Sequence, residues 1–282
     1  MSRPDPEQII AKIDDLPTLP RTVLKITELV NDPKSSAKDL SRIITDDQVL
    51  TARLLKLVNS SFYGFPQRIS TVTNAIVLLG FDAIRSLLLT TSVFDLFAGR
   101  TKKRRRDQEK FWDHSLGCAV GAKVIGNYLR HDKIEELFVS GLLHDIGKIV
   151  EMQFLPDEFD KVTEVVNRQN SLMITAENQV LGFNHAEIGK LLAEKWNLPI
   201  KLGQVIAHHH QPNFAGSFII EASIVHLADI FCRALNMGYG GDNKIPPLDK
   251  QAWQSLKIKP DALESIMETM QSEYRDISSF IS

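Results

Sequence analysis

The chain has 282 residues, of which 43% are hydrophobic and 24% charged, and its formal net charge is −2. This length suffices for one large domain or two smaller ones, and the near-neutral charge gives no reason to expect general affinity for nucleic acid or membranes. Cys118 and Cys232 lie in apolar contexts without CxxC spacing, which predicts buried thiols in a reducing compartment. The polar N-terminal stretch MSRPDPEQII lacks a signal-peptide core and no run reaches about 18 apolar residues, so we expect a cytoplasmic protein without a membrane span.

Helical periodicity dominates the first hundred residues, and strand signals are scarce. Ser36 to Asp39 has the form of a capping box before an apolar helical face that includes Leu40 and Ile44. The stretch QVLTARLLKLVNS predicts the next helix, and TVTNAIVLLG predicts a short helix that ends at Gly80. A further helix is predicted over DAIRSLLLTTSVFDLF. Short connections between such helices indicate an all-α bundle.

A basic run interrupts this pattern at RTKKRRR, residues 100–106. It could bind an anionic ligand or nucleic acid, or it could be a solvated linker or helix start. We favour the second interpretation, because no aromatic residues alternate with the charges, and we do not expect nucleic acid to be a partner. The run marks a predicted boundary between two packed helical subdomains, residues 1–105 and 106–282.

Helical patterns resume after the basic run and continue to the C-terminal part of the chain. One of them, KIEELFVSGLLHDIGKIVEM, is read as a single helix that contains His144 and Asp145. The stretch NMGYGGDNKIPPLD is rich in glycine and proline and predicts a loop, and DALESIMETMQSEYRDISSF predicts a last amphipathic helix.

Polar residues interrupt the apolar helical faces of the second half. Imidazole and carboxylate groups on separate helices are what a divalent transition-metal site in a helical core uses, although a lone histidine is more often a hydrogen-bonded core residue. A second His-Asp pair at His131-Asp132 has charged surroundings and is read as an exposed connection, so the apolar frame around residues 144 and 145 carries the signal. The interrupting residues are His114, His144, Asp145, His185, His208, His209, His210 and Asp229.

These residues resemble the HD superfamily of metal-dependent phosphohydrolases, whose ligands follow the order H…HD…H…HH…D. The local contexts LLHDIGK, NHAEIGKLLAEKW, VIAHHH and HLADIFCRA agree with that pattern over about residues 111 to 235. The first part of the chain, residues 16 to 97, resembles HDOD proteins, the HD-related output domain of bacterial signalling. An all-α fold with an HD-type second bundle is therefore expected.

The resemblance implies one or two divalent ions, with Asp145 bridging them. His114, His144 and Asp229 would hold one ion, and His185, His208 and His209 the other. Such ligands favour iron, manganese, zinc or cobalt over magnesium, and a pair of ions can clamp a phosphoester for in-line attack. Asp145 and Lys148 are the expected catalytic residues: Lys148 could contact substrate phosphate, or it could be a surface lysine at a helix end.

The chain also departs from the cyclic di-GMP phosphodiesterase branch. The Gly-Tyr-Pro motif of that branch is absent after the histidine run, and Lys110 stands where trinuclear members have a glutamate. A third ion and hydrolysis of cyclic di-GMP are therefore not expected. His210 is read as exposed because Pro212 must end its helix, and His226 as a core histidine or one that orients Asp229.

Two functions stay open at this point. The chain could be a phosphohydrolase for a nucleotide or another phosphoester, since the ligand set is intact. It could instead be a catalytically silent signalling module with a structural metal that binds a protein or small ligand. Alanine at Lys148 would separate them, because only the enzyme would lose turnover.

Overall fold

The computed structural model describes residues 25, 26, 28, 29, 32, 34–59, 65, 67–81, 83–85, 87, 88 and 102–281. Within these ranges every regular element is a helix, which confirms the all-α fold. None of the described helices has the length and apolar character that a membrane crossing requires. The helices with defined bounds are α1 (Ala37–Thr45), α2 (Gln48–Val58), α3 (Val72–Leu79), α4 (Lys102–Tyr128), α5 (Ile134–Leu143), α6 (Ile146–Phe154), α7 (Pro156–Gln169), α8 (Met173–Val180), α9 (His185–Lys195), α10 (Ile200–His208), α11 (Ile219–Ala234), α12 (Lys250–Leu256) and α13 (Leu263–Ile281).

The described residues divide into two compact units. One contains residues 102–270, and the other contains the described residues between 18 and 96 together with 271–281. This grouping separates the end of α13 from the second subdomain predicted by sequence, 106–282. The predicted boundary near residue 105 stays a prediction, because residues 89–101 lie outside the described part of the chain.

In the smaller unit, the predicted helix signals correspond to local structure. The Ser36 hydroxyl and the Asp39 carboxylate cap each other's backbone at the start of α1, as the capping box predicts. Gly80 ends α3 with φ +84°, a value that glycine adopts without steric cost. Of the helix predicted over 82–97, residues 83–85, 87 and 88 are described and are helical; the rest lies outside the described residues.

The larger unit is built around α4, which packs against α5 and α11. Its start at Lys102 makes most of the basic run the first turn of a helix, one of the two alternatives considered for that run, and Arg106 is exposed. Cys118 and Cys232 are buried free thiols. The His131-Asp132 pair lies in the connection between α4 and α5, with Asp132 exposed, as expected.

A second layer of helices completes the larger unit. Helix α9 packs on α6 and α10, and a separate apolar cluster that includes Phe111, Phe159 and Val162 lies around α7 and α8. Helix α12, which the sequence did not predict, begins after Asp249, whose carboxylate accepts a hydrogen bond from Ala252 N at 2.8 Å. The loop between α11 and α12 is the predicted glycine- and proline-rich segment.

Candidate metal centre

The His144–Asp145 pair lies at a break between α5 and α6, where the sequence predicted one continuous helix. Asp145 has φ −101° and ψ 14°, in the sparsely populated bridge region that many active-site residues adopt. The chain turns there and α6 begins at Ile146. The side chains of His144 and Asp145 therefore do not follow the spacing of one continuous helix, and both point toward a common centre. The break is what allows two consecutive residues to face the same site.

The imidazole rings of the site are fixed through their Nδ1 atoms. Nδ1 of His144 donates to Gly141 O at 2.6 Å, and Nδ1 of His209 donates to Ile206 O at 2.8 Å. These bonds leave the Nε2 lone pairs free and directed inward. Anchoring one ring nitrogen so that the other can bind a metal is the usual arrangement for metal-ligating histidines.

The Asp145 carboxylate stands between two groups of histidines. Its Oδ2 lies 3.3 Å from His144 Nε2 and 3.5 Å from His114 Nε2. Its Oδ1 lies 3.2 Å from His185 Nε2 and 3.7 Å from His209 Nε2. The two oxygens therefore face different histidine pairs, which is the placement that a carboxylate bridging two ions requires.

Asp229 completes the first of these groups from α11. Its Oδ1 lies 3.1 Å from His114 Nε2 and accepts a hydrogen bond of 2.9 Å from Arg233 Nε, one turn further along the helix. Arg233 also donates to Asp242 Oδ1 at 3.1 Å. The arginine thus holds the Asp229 carboxylate in place and links it to the loop between α11 and α12.

The structure brings His210 into the second group and leaves His208 outside it. Nε2 of His210 lies 2.9 Å from Nε2 of His185, whereas the ring of His208 packs beside Phe214 with a centroid distance of 6.4 Å. From the sequence we expected the reverse, with His208 as a ligand and His210 exposed. His208 is the last residue of α10, and the turn that follows the helix carries His210 back toward the site.

The unsatisfied polar atoms of the site show that its residues fit a metal. Each such atom in a protein interior costs about 1–3 kcal/mol, and here four of them converge. Cations bound in the two groups of side chains that hold these atoms would give each atom a partner, so the residues present fit a bound metal. The potential ligand atoms form two sets, and within each set all of them lie within 4.8 Å of one another. One set comprises Asp145, His185, His209 and His210, and the other comprises His114, His144 and Asp229. Within these two sets, the buried atoms without a hydrogen bond are His114 Nε2, His144 Nε2, His209 Nε2 and Asp145 Oδ1.

Burial and neighbouring charges hold most of these groups in the protonation state that metal binding needs. Burial lowers the pKa of His114 and lowers that of His209 and His210 strongly, which favours neutral imidazoles. Burial alone would raise the pKa of Asp145, but its interactions with the His144 ring and the Lys148 ammonium outweigh that effect and hold the pKa well below its usual range. Neutral histidines and ionised carboxylates are the metal-binding forms.

A buried glutamate that the sequence analysis did not single out orients His185. Oε2 of Glu177 accepts from Nδ1 of His185 at 2.6 Å and from its backbone N–H at 3.1 Å. Burial lowers the pKa of His185, but the Glu177 carboxylate outweighs this effect and raises it overall. The signal was present in the sequence, since Glu177 lies on the buried face of α8 with Met173 and Ala176.

Lys148 lies at the edge of the cluster and is fully buried. Its ammonium donates to Asp145 Oδ2 at 2.6 Å and to Gly240 O at 2.8 Å, so it is not the surface lysine that one alternative described. His226 is a satisfied core histidine: Nδ1 donates to His209 O at 2.8 Å and Nε2 accepts from Asp249 N at 3.0 Å. His226 therefore supports the backbone of a ligand candidate and has no nitrogen left for a metal.

Comparisons with known proteins agree with this architecture. A protein from Geobacter sulfurreducens, described as an HDOD domain protein of unknown function, is 28% identical, with a TM-score of 0.72 over 97% of this chain and 91% of that one. A phosphohydrolase candidate from Shewanella amazonensis SB2B has a TM-score of 0.76 over 97% of both chains at 24% identity, which shows the shared fold alone.

A curated relative and a family match extend the comparison. An uncharacterized protein of Treponema pallidum (strain Nichols) is 28% identical over 273 residues, 94% of this chain and 51% of that protein, so the chain spans about half the length of this relative. Residues 16–212, more than half of the chain, match the HDOD domain. The chain is therefore a member of the HDOD family.

Proposed function

We propose that the chain is a metal-dependent phosphohydrolase whose centre holds two divalent ions. The observation that carries the proposal is the convergence of buried, unsatisfied Nε2 and carboxylate atoms on Asp145. His114, His144 and Asp229 would hold one ion, His185, His209 and His210 the other, and Asp145 would bridge them. Iron, manganese, zinc and cobalt suit this ligand set. Bound ions would supply Lewis-acid polarisation and a template for in-line displacement at phosphorus.

The chain's own residues then have separate tasks. Lys148 orients the Asp145 carboxylate and forms part of the wall of the adjoining pocket. Arg233 fixes Asp229, and Glu177 fixes His185. The substrate would be a nucleotide or another phosphoester, as the resemblance to HD phosphohydrolases implies.

The second candidate is a signalling output module with a structural metal. The match to the HDOD domain favours it. So does the engagement of the Lys148 ammonium by Asp145 and Gly240, since that ammonium is not free for a substrate phosphate. Its ligand would be a signalling protein or a small molecule.

Replacing Lys148 with methionine separates the two candidates, because methionine keeps most of the volume and removes the charge. If the chain is an enzyme, the manganese-loaded variant should turn over p-nitrophenyl phosphate or a panel of nucleotides about 100-fold or more slowly than the wild type. This is the scale expected when one charged group is removed from an active site. Its metal content should stay equal to that of the wild type. Lys190→Met, an exposed lysine of α9, is the matched control.

Absence of turnover in the metal-loaded wild type across the panel would reject the enzyme and leave the signalling module. Turnover that survives unchanged in Lys148→Met would remove Lys148 from the catalytic residues while keeping the enzyme.

A further inference from the structure

A small pocket of about 160 Å³ adjoins the metal centre within the larger unit. Its lining joins Lys148, His185 and His210 of the candidate metal centre to the apolar side chains of Leu172 and Ile174. Pockets for drug-sized ligands usually have about 300–1,000 Å³. At about 160 Å³, the pocket lies below this range. Its volume suits a phosphoryl group and one narrow substituent.

Asp242, which lines the pocket, is the last residue of a segment that we call the strap, residues 238–242. A Cβ on Gly238 would lie 2.1 Å from the backbone nitrogen of His114, and a Cβ on Gly241 would lie 2.1 Å from Met173 Sδ. Both glycines have positive φ, +70° and +104°. The strap therefore contacts α4 and α8 so closely that no side chain fits at these positions.

Hydrogen bonds fix the strap as well. Asp242 Oδ2 accepts from Met173 N at 2.8 Å, and Tyr239 N donates to Lys110 O at 3.1 Å. Arg233 donates to the Gly240 carbonyl at 3.2 Å, in addition to its bonds with carboxylates. These bonds reach α4, α8 and α11, so widening the pocket on this side would break several of them together.

Pro246 and Pro247 also line the pocket, and their rings fix their φ angles. The cationic groups of the walls are already matched, Lys148 by Asp145 and Arg233 by Asp229 and Asp242. Attraction for an anion must therefore come mainly from the bound ions. The narrow space between the walls and the charge of ions bound at the candidate metal centre would together select the ligand.

From this geometry we infer that the pocket admits a terminal phosphoryl group with a single substituent and excludes phosphodiesters with two bulky substituents. The inference rests on the metal centre of the proposed function and narrows its substrate class to phosphomonoesters. A diester would have to place two substituents where the strap and the opposite side leave room for one.

Calorimetric titration of the manganese-loaded protein tests the inference without requiring turnover. The probes are orthophosphate, phenylphosphonate and diphenyl phosphate. We expect the first two to bind and diphenyl phosphate to bind at least 10-fold more weakly than phenylphosphonate. The metal-free protein should bind none of them.

A pocket variant separates size from charge, because diphenyl phosphate also carries less charge than phenylphosphonate. Ile174→Ala should strengthen binding of diphenyl phosphate several-fold and leave that of orthophosphate unchanged. Ile200→Ala, at a position 76% exposed on α10, is the control and should change neither.

Equal affinity for phenylphosphonate and diphenyl phosphate would overturn the inference, and so would a failure of all three probes to bind or an Ile174→Ala variant with an unchanged preference. Turnover of p-nitrophenyl phosphate is measured on the same samples. Selective binding without turnover would retain the pocket inference and reject hydrolysis.

Discussion

Asp145 shows how a buried charge is tolerated at the level of single residues. Its side chain is almost completely buried, and its two oxygens are surrounded by histidine nitrogens and by the Lys148 ammonium. An isolated carboxylate in this position would lose several kcal/mol of solvation. The lysine offsets part of that loss at Oδ2, and the unsatisfied Oδ1 and histidine nitrogens around the carboxylate fit bound cations that would offset the rest.

His208 and His210 provide a direct test at the same scale. His210→Ala removes a ring from the group around Asp145, so manganese affinity should fall by at least the roughly 10- to 100-fold that a residue supporting a ligand usually contributes. His208→Ala removes a ring that packs beside Phe214 and should leave metal affinity unchanged. Competition titration against a fluorescent chelator measures both variants. Equal losses in the two, or a larger loss in His208→Ala, would reject the assignment of His210.

Glu151 predicts a pH dependence of the metal-free protein. Neither of its carboxyl oxygens has a hydrogen bond of normal geometry. Burial and then the neighbouring Glu177 carboxylate raise its pKa well above 4.5. The folded state therefore holds a proton that the unfolded state releases. This contribution to stability is complete below about pH 4.5 and is lost as the pH rises through the folded-state pKa.

Glu151→Gln replaces the protonated acid with a neutral amide and should remove this dependence. The variant should therefore be more stable relative to the wild type at pH 8 than at pH 5, with a correspondingly larger free energy of unfolding. Urea unfolding with chelator present measures it, and Glu164→Gln on the exposed face of α7 is the control. A relative stability that stays constant between the two pH values would contradict the prediction.

At the scale of elements, the close approach of α6 and α9 brings the two halves of the site together. A Cβ on Gly147 would lie 1.9 Å from His185 O, so only glycine allows this contact. The backbone carbonyl has little freedom to move, because His185 begins α9 and its own N–H is bonded to Glu177. The distance between Asp145 and His185 depends on this packing.

Gly147→Ala should therefore destabilise the protein by about 1–3 kcal/mol, the usual cost of overpacking, and should also weaken metal binding. Gly203→Ala is the matched variant in α10, where the added Cβ would lie 3.7 Å from Ala193 Cβ, an ordinary contact. It should stabilise the protein by about 0.5–1 kcal/mol, because alanine is favoured over glycine within a helix. Thermal unfolding distinguishes the two, and destabilisation of similar size in both would contradict this account.

Local signals predicted most of the helices of the larger unit, but the element ends depended on tertiary contacts. The stripe of buried residues Leu202, Val205 and Ile206 in α10 extends to His209 at helical spacing and excludes His208, so closer attention to periodicity could have rejected His208. His210 lies beyond the end of the helix, where periodicity no longer determines direction. The break at Asp145 had no signal in the apolar run around it.

At the scale of the whole molecule, the sequence predicted which segments form the candidate metal centre but not how its supporting residues are connected. Six of the seven expected ligands converge, from α4, the α5–α6 junction, α9, the end of α10 and α11. Gly240 of the strap accepts hydrogen bonds from Lys148 and Arg233, and both of these bonds join the centre to a segment distant in sequence from Asp145. Such contacts follow from the packing of several helices and have no local pattern.

Metal content is the measurement that tests the central claim most directly. Protein purified without added metal or chelator should contain iron, manganese, zinc or cobalt at one to two ions per chain by elemental analysis. Asp145→Asn preserves the shape of the bridging side chain and removes its charge, so it should retain less than half of that metal, whereas His208→Ala should retain all of it. Wild-type protein that contains no transition metal, and that takes up none when dialysed against manganese or iron, would contradict the account.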